Sequence, residues 1–285
     1  MILPKRNKGA GLDTPKRPRG RPKSLFKESS AGTLQSLDRA LGTLSAVARL
    51  ERCTLTDLSR ETGVPTATTH RILATLANRG FVRFDEDRQE WMVGIEAYRA
   101  GAAFLKRNNV VEISRPIMHR LMQETGETAN LAVPDAGDVV FVGQIETKNP
   151  IRAFFPPGAR TPMYASGTGK AILAAMEPDG VRKLLSSSTL EAFTERTHSD
   201  VASLEADLKV IRQRGWSYDV EERYLGMSCI GAVIFNEQNL PCAGVSVSGP
   251  TARFNSETID RFGDLVSAAA REITRAVGGR PMHPD

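Results

Sequence analysis

An α+β chain of two parts is predicted by three features of the sequence. Residues 54–80 carry a helix-turn-helix pattern with a hairpin pattern behind it, strand patterns come in pairs after residue 110, and the chain closes on an amphipathic helix around Ile259–Ile273. Paired strands with flanking helices point to an antiparallel sheet covered by helices. The expected division is a basic tail over 1–32, a winged helix-turn-helix over 33–95, a linker helix over 96–109, a larger domain over 110–279 and a short tail over 280–285.

The tail carries most of the charge. Residues 1–32 hold nine Lys or Arg against Asp13 and Glu28, a net of +7, so the rest of this +5 chain is near neutral at −2. Rich in Pro and Gly and without periodicity, the tail is expected to be disordered. Within it, Arg19 and Arg21 flank Gly20 in the run Pro18-Arg19-Gly20-Arg21-Pro22. An Arg-Gly-Arg segment suits a narrow A·T minor groove, where glycine lets the backbone sit deep and arginine meets an enhanced negative potential. A solvated basic tail that strengthens nucleic-acid binding through counterion release reads the same residues equally well.

The first ordered helix is expected near Leu34–Leu50. Leu34, Leu37, Leu41, Leu44 and Val47 recur at helical spacing and are expected to pack on the helices that follow. In the helix-turn-helix, Thr54 with Asp57 reads as a helix start, Gly63 as the tight turn and Pro65 as the start of the second helix. Ile72, Leu73, Leu76 and Ala77 face inward, which leaves Thr66, Thr68, Thr69, His70 and Arg71 at the N-terminal end that recognition helices present to a major groove. Phe81–Phe84 and Glu90–Val93 alternate around a polar loop and read as a wing.

In the larger part, helices are expected around Ile113–Leu121, Gly169–Met176 and Leu204–Gln213. Strands are expected at Thr128–Val133, Val139–Ile145, Arg152–Phe155, Ile230–Phe235 and Ala243–Ser248. Several functions are disfavoured. No apolar run approaches the roughly 18 residues of a membrane span, and the N-terminus lacks the apolar stretch of a secretory signal. Cys53, Cys229 and Cys242 are odd in number and widely spaced, which fits a reducing cytoplasm. The run Gly167-Thr168-Gly169-Lys170 lacks the flanking residues of a Walker loop, the histidines lack zinc spacing, and no nucleophile elbow is present. The acidic cluster Asp219, Glu221 and Glu222 reads as a solvated face.

Taken together, the segments TLQSLDRAL (33–41), VPTATTHRILATLANRGFV (64–82), ETGETANLAV (124–133), YASGTGKAIL (164–173), GWSYDVEERYLGMSCIGAVIF (215–235) and GVSVSGPTARF (244–254) resemble the IclR-type transcriptional regulators, in family order. The resemblance implies a winged helix-turn-helix, a linker helix and a GAF-like effector-binding domain. It also implies a homodimer or homotetramer on double-stranded operator DNA, with no enzymatic activity and no cofactor or metal. The effector segments look closest to the glyoxylate-responsive repressor of allantoin utilisation. That likeness implies that glyoxylate or a related 2-oxo acid sits among Ser166, Gly167, Thr168, Asp219, Cys229, Ser246, Val247 and Ser248. Thr168 departs from that pattern, where a small apolar residue is usual, as do Met163 and Tyr164.

The chemistry of these residues stands beside the resemblance. Free N–H groups at a helix start near Gly169 favour a carboxylate. Ser246 and Ser248 are two apart and face one side of a strand. Asp219 can accept from a hydroxyl or a hydrated aldehyde, though a buried carboxylate beside an anion is costly unless paired. An alternative is an enzyme acting on a small carbonyl acid through Cys229, with DNA binding incidental.

Overall fold

The computed structural model describes residues 34–107, 109–186 and 190–280, and it divides into two compact units at Arg99 and Ala100. Arg19 and Arg21 lie outside the described residues.

The first unit contains α1 (Gln35–Leu50), α2 (Leu55–Thr62), α3 (Thr66–Asn78) and the hairpin β1 (Val82–Asp85) and β2 (Glu90–Val93). The start of α2 is a capping box. The Asp57 N–H donates to Thr54 Oγ1 at 3.2 Å, and the Thr54 N–H donates to Asp57 Oδ2 at 3.1 Å. Gly63 closes α2 with φ 66°, a left-handed value that glycine adopts without a Cβ clash. Cys53 pairs with Trp91, adding a third partner to the wing. Val47, Leu58, Leu73, Val82 and Trp91 form the core.

The packing expected of α1 is only partly present. Val47, Ala46 and Thr43 are buried, but Leu34, Leu37 and Leu41 are 70%, 54% and 55% exposed. Their three- and four-residue spacing places them on one face at the start of α1 that the other described residues leave uncovered.

α4 (Ile95–Arg107) runs across the boundary between the units. The second unit then continues with α5 (Val110–Thr125), β3 (Thr128–Asp135), β4 (Asp138–Ile145), β5 (Arg160–Pro162), α6 (Gly167–Ala175), α7 (Pro178–Ser186), α8 (Val201–Arg214), β6 (Ser217–Val220), β7 (Met227–Phe235), β8 (Pro241–Pro250) and α9 (Ile259–Ala276). One antiparallel sheet runs in the order β5-β4-β3-β8-β7-β6. The strand expected at Arg152–Phe155 is irregular chain instead, and β5 takes the edge position beside β4.

Side chains alternate across this sheet, as the period of two requires. Val245, Val247 and Ile230 face α5 and α9, where they pack with Leu121, Phe262 and Val266. On the opposite face, Ala132, Val139 and Phe141 pack with Ile172 and Leu173 of α6 and Leu204 and Leu208 of α8. The sheet is thus a middle layer with helices on both sides, and α6 lies over its central strands.

Candidate functional site

α6 begins against the sheet at an unusually short distance. A Cβ on Gly231 would lie 2.7 Å from the Gly167 carbonyl carbon, and one on Gly167 would lie 2.7 Å from Cys229 Sγ. Only glycines let the helix start come this close. Ser217 fixes it there by donating its hydroxyl to the Gly167 carbonyl at 2.5 Å. Ser166 caps the helix by accepting from the Gly169 N–H at 2.9 Å.

Strand register then lines up the polar residues beneath. Asp219 on β6 pairs with Cys229 on β7, and Cys229 pairs with Ser248 on β8, so the three form a row across the sheet. Together with Ser166, Gly167 and Thr168 they line one cavity. Its volume is about 20 Å³, little more than one water molecule needs. Thr168 is 1% exposed, and its hydroxyl has no hydrogen-bond partner. Ser248 accepts from Asn130 Nδ2 at 3.2 Å. Ser246 is fully buried in the next row, opposite Gly231, with its hydroxyl unpartnered as well. Val247 does not belong to this set. Alternation along β8 turns its side chain into the core under α5 and α9, which corrects its assignment as a pocket residue.

Residues that the sequence reading did not single out complete the wall. Phe141 and Phe155 stack at 4.7 Å, with Tyr224 at 6.3 Å from Phe155. Arg223 also faces the cavity, its guanidinium 3.6 Å above the Phe193 ring centroid. Behind the wall, Lys170 is fully buried and donates to Asp207 Oδ2 at 2.7 Å, to the Tyr218 carbonyl at 2.8 Å and to Glu222 Oε1. Glu222 is therefore a buried ion-pair partner and not a solvated acid, as its place in an acidic run suggested. His198, Asp207 and Glu222 offer ligand atoms within 4.8 Å of one another, but the Lys170 ammonium already rests on the same two carboxylate oxygens.

Burial governs the titration of this cluster. Burial, then the neighbouring Glu222, pushes the Asp219 carboxyl up to about 7. Burial also raises Glu222 against the pull of Lys170. Asp207 feels burial too, but His198 and Lys170 outweigh it and hold it at about 2. Burial and then Asp219 push the Cys229 thiol up to about 11, so this sulfur is a protonated thiol at neutral pH and a poor nucleophile.

A consequence for Asp219 can be measured. The folded state holds its proton up to about pH 7, whereas the unfolded chain releases it near the ordinary 3.8. Stability is therefore lost as pH rises through that window. Asp219→Asn removes this dependence. Its melting temperature is expected to exceed wild type by more at pH 8 than at pH 5, each kcal/mol moving it by about 2–4 °C. Equal differences at both pH values would refute the assignment.

At the other end of the chain, α3 presents Thr66, Ala67, His70 and Arg71 to solvent, and Thr68 is half-buried. Thr69 is different. It is fully buried, and its hydroxyl donates to the Val64 carbonyl at 3.1 Å. Its angular position on the helix, between Leu73 and Leu76, turns it into the core. Thr69 is thus a packing residue and not a DNA contact.

A recognition helix with an exposed polar face, a wing and a separate small, partly polar cavity define a DNA-binding regulator. The chain belongs to the IclR family of transcriptional regulators: residues 36–86 match the IclR helix-turn-helix domain, and residues 102–275 match the bacterial transcriptional regulator IclR C-terminal domain. These are families of regulators, not of enzymes. The chain is 45% identical to the HTH-type transcriptional regulator BhcR of Paracoccus denitrificans, covering 93% of this chain and 94% of that one. It is 32% identical to the HTH-type transcriptional repressor AllR of Escherichia coli K12, covering 94% and 98%. Whole-chain similarity therefore does not single out the allantoin-utilisation repressor that the effector segments suggested. The crystal structure of Thermotoga maritima IclR superposes with a TM-score of 0.71 at 27% identity, covering 85% of this chain and 98% of that one. Among the described residues, no helix is long and apolar enough to cross a membrane.

Proposed function

We propose that this cytoplasmic regulator binds a two-fold-related operator as a homodimer or a pair of dimers, and that a small carboxylic acid tunes the binding. Glyoxylate or a close 2-oxo acid is the effector, held among Ser166, Gly167, Thr168, Asp219, Cys229 and Ser248, with Ser246 behind them. The observation that carries the effector reading is the Thr168 hydroxyl, buried in the cavity wall with no partner. Buried polar groups are nearly always satisfied, so such an atom calls for a partner, a water or a small ligand, on the cavity side. The small cavity favours a ligand of few heavy atoms over an aromatic acid.

Arg71, Thr66, Thr68 and His70 make the contacts of α3 to bases or phosphates, and Arg19 and Arg21 add minor-groove or electrostatic affinity. The stripe Leu34, Leu37 and Leu41, exposed among the described residues, supports self-association, since a contiguous exposed apolar face marks a contact surface. A two-fold operator follows from a two-fold dimer. For control, the ligand must bind one arrangement of the DNA-binding domains more tightly than another.

A gel-shift titration on the protein's own upstream DNA tests this reading. Arg71→Ala is expected to weaken binding by about 10–100-fold, as for one lost base or phosphate contact, with an unchanged melting temperature. Thr69→Ala is expected to lower the melting temperature first. Unchanged promoter occupancy with Arg71→Ala would reject α3 as the reading helix. Isothermal titration with glyoxylate, pyruvate and aromatic acids tests the effector, and no heat from glyoxylate at millimolar levels would reject it.

A further inference from the structure

A second cavity, of about 140 Å³, lies between the end of α8, strand β7 and α9. It shares no lining residue with the cavity at the start of α6. Its floor is apolar, made by Ala232, Val233 and Phe235 of β7. One wall is polar for a reason of helix geometry. α9 lays Phe262, Val266 and Ile273 on the sheet. Asp264, Ser267, Arg271 and Thr274 recur every three or four residues on the flank beside that face, and they line the cavity. An apolar floor under a few converging polar groups is the composition of a small-molecule site.

Arg214, the last residue of α8, supplies the charge. Its guanidinium carbon stands 4.1 Å from the centroid of the Trp216 ring. That ring is itself fixed, because α9 passes so close that a Cβ on Gly263 would lie 2.2 Å from the indole. A guanidinium stacked on a fixed ring keeps its plane. Its Nε donates to the Trp216 carbonyl, and among the described residues its two Nη groups meet no acceptor and no carboxylate pairs with it. Burial pulls this guanidinium below its ordinary value, against the fields of Asp207 and Asp260. Arg212 differs, since its Nε is taken by the Ala174 carbonyl at 2.7 Å. Asp264 and Arg271 also line the cavity and cancel in charge, which leaves the charge of Arg214 in excess.

We propose that this cavity is a second anion site, in which the free Nη pair of Arg214 holds the phosphate group of a small phosphate monoester. A guanidinium edge matches two oxygens of a carboxylate or a phosphate equally well. Phosphate has a further oxygen for donors beyond that edge, and the Ser267 hydroxyl and the Gln213 amide line the same cavity. The β7 floor then takes the carbon part of the ester. Arg214 lies about two turns along α8 from Asp207, the partner of Lys170, so an occupied site steadies the helix that holds this buried lysine.

Thermal unfolding of the full-length protein in inorganic phosphate, in acetate and in potassium chloride of equal ionic strength tests the proposal. Phosphate is excluded from protein surfaces and stabilises any fold, so Arg214→Gln serves as the blank. At about five times its Kd, phosphate is expected to raise the wild-type melting temperature by about 2–4 °C more than that of Arg214→Gln. Isothermal titration should show phosphate binding at least about tenfold weaker in the variant, the scale of one charged hydrogen-bonded pair. Equal shifts in wild type and variant overturn the site. Acetate that matches phosphate in the wild type overturns the assignment to phosphate. Should Arg214→Gln misfold, Ser267→Ala takes its place. The Ser267 hydroxyl makes a single 3.4 Å bond, to the Gly215 carbonyl, so the fold should tolerate its loss. A several-fold weaker affinity supports the proposal, and an unchanged one overturns it. A crystal soaked in phosphate gives an independent answer: density against Arg214 supports the site, and phosphate found only elsewhere overturns it.

Discussion

Replacing Lys170 with alanine is expected to destabilise the effector-binding domain by about 3–5 kcal/mol, the range for breaking a buried ion pair from one side. The wild-type ammonium serves Asp207, Glu222 and the Tyr218 carbonyl at once, with no exposed surface of its own. Burial alone pulls the Lys170 amine down, but Glu222 and Asp207 more than offset this, and the group remains charged. Its removal leaves buried carboxylates facing one another, and the least costly response is to protonate them. Asp219 already stands at about 7 and Glu222 above its ordinary value with the lysine present, and both rise further without it. The loss should therefore be larger at pH 8 than at pH 6, since acid neutralises what the lysine no longer balances. Paired replacement, Lys170→Met with Glu222→Gln, is expected to recover more than half of the stability, because isosteres need no counter-charge. Urea unfolding at the two pH values measures all three expectations. A Lys170→Ala variant as stable as wild type at pH 8 would show that the cluster is not held by its ammonium.

The same lysine shows why parts of the site were legible in the sequence and parts were not. Local chemistry was readable. Thr54 with Asp57 forms the capping box, Gly63 makes the left-handed turn and Ser166 caps a helix, because each acts within three or four residues of itself. The alternation that placed Ser246 and Ser248 on one side is equally local, and applied strictly it also turns Val247 away from them. Thr69 had a comparable signal, since its helical angle falls among the inward-facing leucines. Its hydroxyl nevertheless reads as a polar surface group until its bond to the Val64 carbonyl is seen.

What could not be read depends on register and on layers. The row Asp219, Cys229 and Ser248 exists because β6, β7 and β8 are neighbours with a particular offset. Glu222 became a buried partner of Lys170 because the helix start lies over the end of β6, although the two residues are fifty-two positions apart in the chain. Arg223 faces a cavity because Phe193, from a separate irregular segment, gives its guanidinium a ring to lie on. Periodicity cannot report such meetings. The apolar stripe on α1 is the converse case. Spacing revealed Leu34, Leu37 and Leu41 as one face, but not that the other described residues would leave it exposed.

Arg253→Ala is expected to cost the effector-binding domain about 3 kcal/mol, the lower end of the range for exposing one partner of a buried pair, because Arg253 itself is partly solvated. Glu127 is 2% exposed at the start of β3, and Arg253 meets it as a fork, Nε to Oε1 and Nη2 to Oε2, the latter at 2.7 Å. The same Nη2 donates to the Ile151 carbonyl at 3.0 Å. Ile151 belongs to the irregular segment that carries Phe155 into the cavity wall, so Arg253 ties that segment to the sheet. Two effects should therefore appear together in the alanine variant: a lower urea midpoint and, for the proposed effector glyoxylate, binding weaker by a few-fold. Arg253→Lys keeps a charge beside Glu127 but has a single ammonium for two carboxylate oxygens and a carbonyl, so it should restore stability more fully than binding. Gly249→Ala provides an independent approach, since a Cβ there would lie 2.1 Å from Glu127 Oε2 and force the carboxylate out of its fork. If Arg253→Ala and Gly249→Ala both unfold at the wild-type urea midpoint, the Glu127 carboxylate is not confined as the geometry requires, and its link to the cavity wall fails with it.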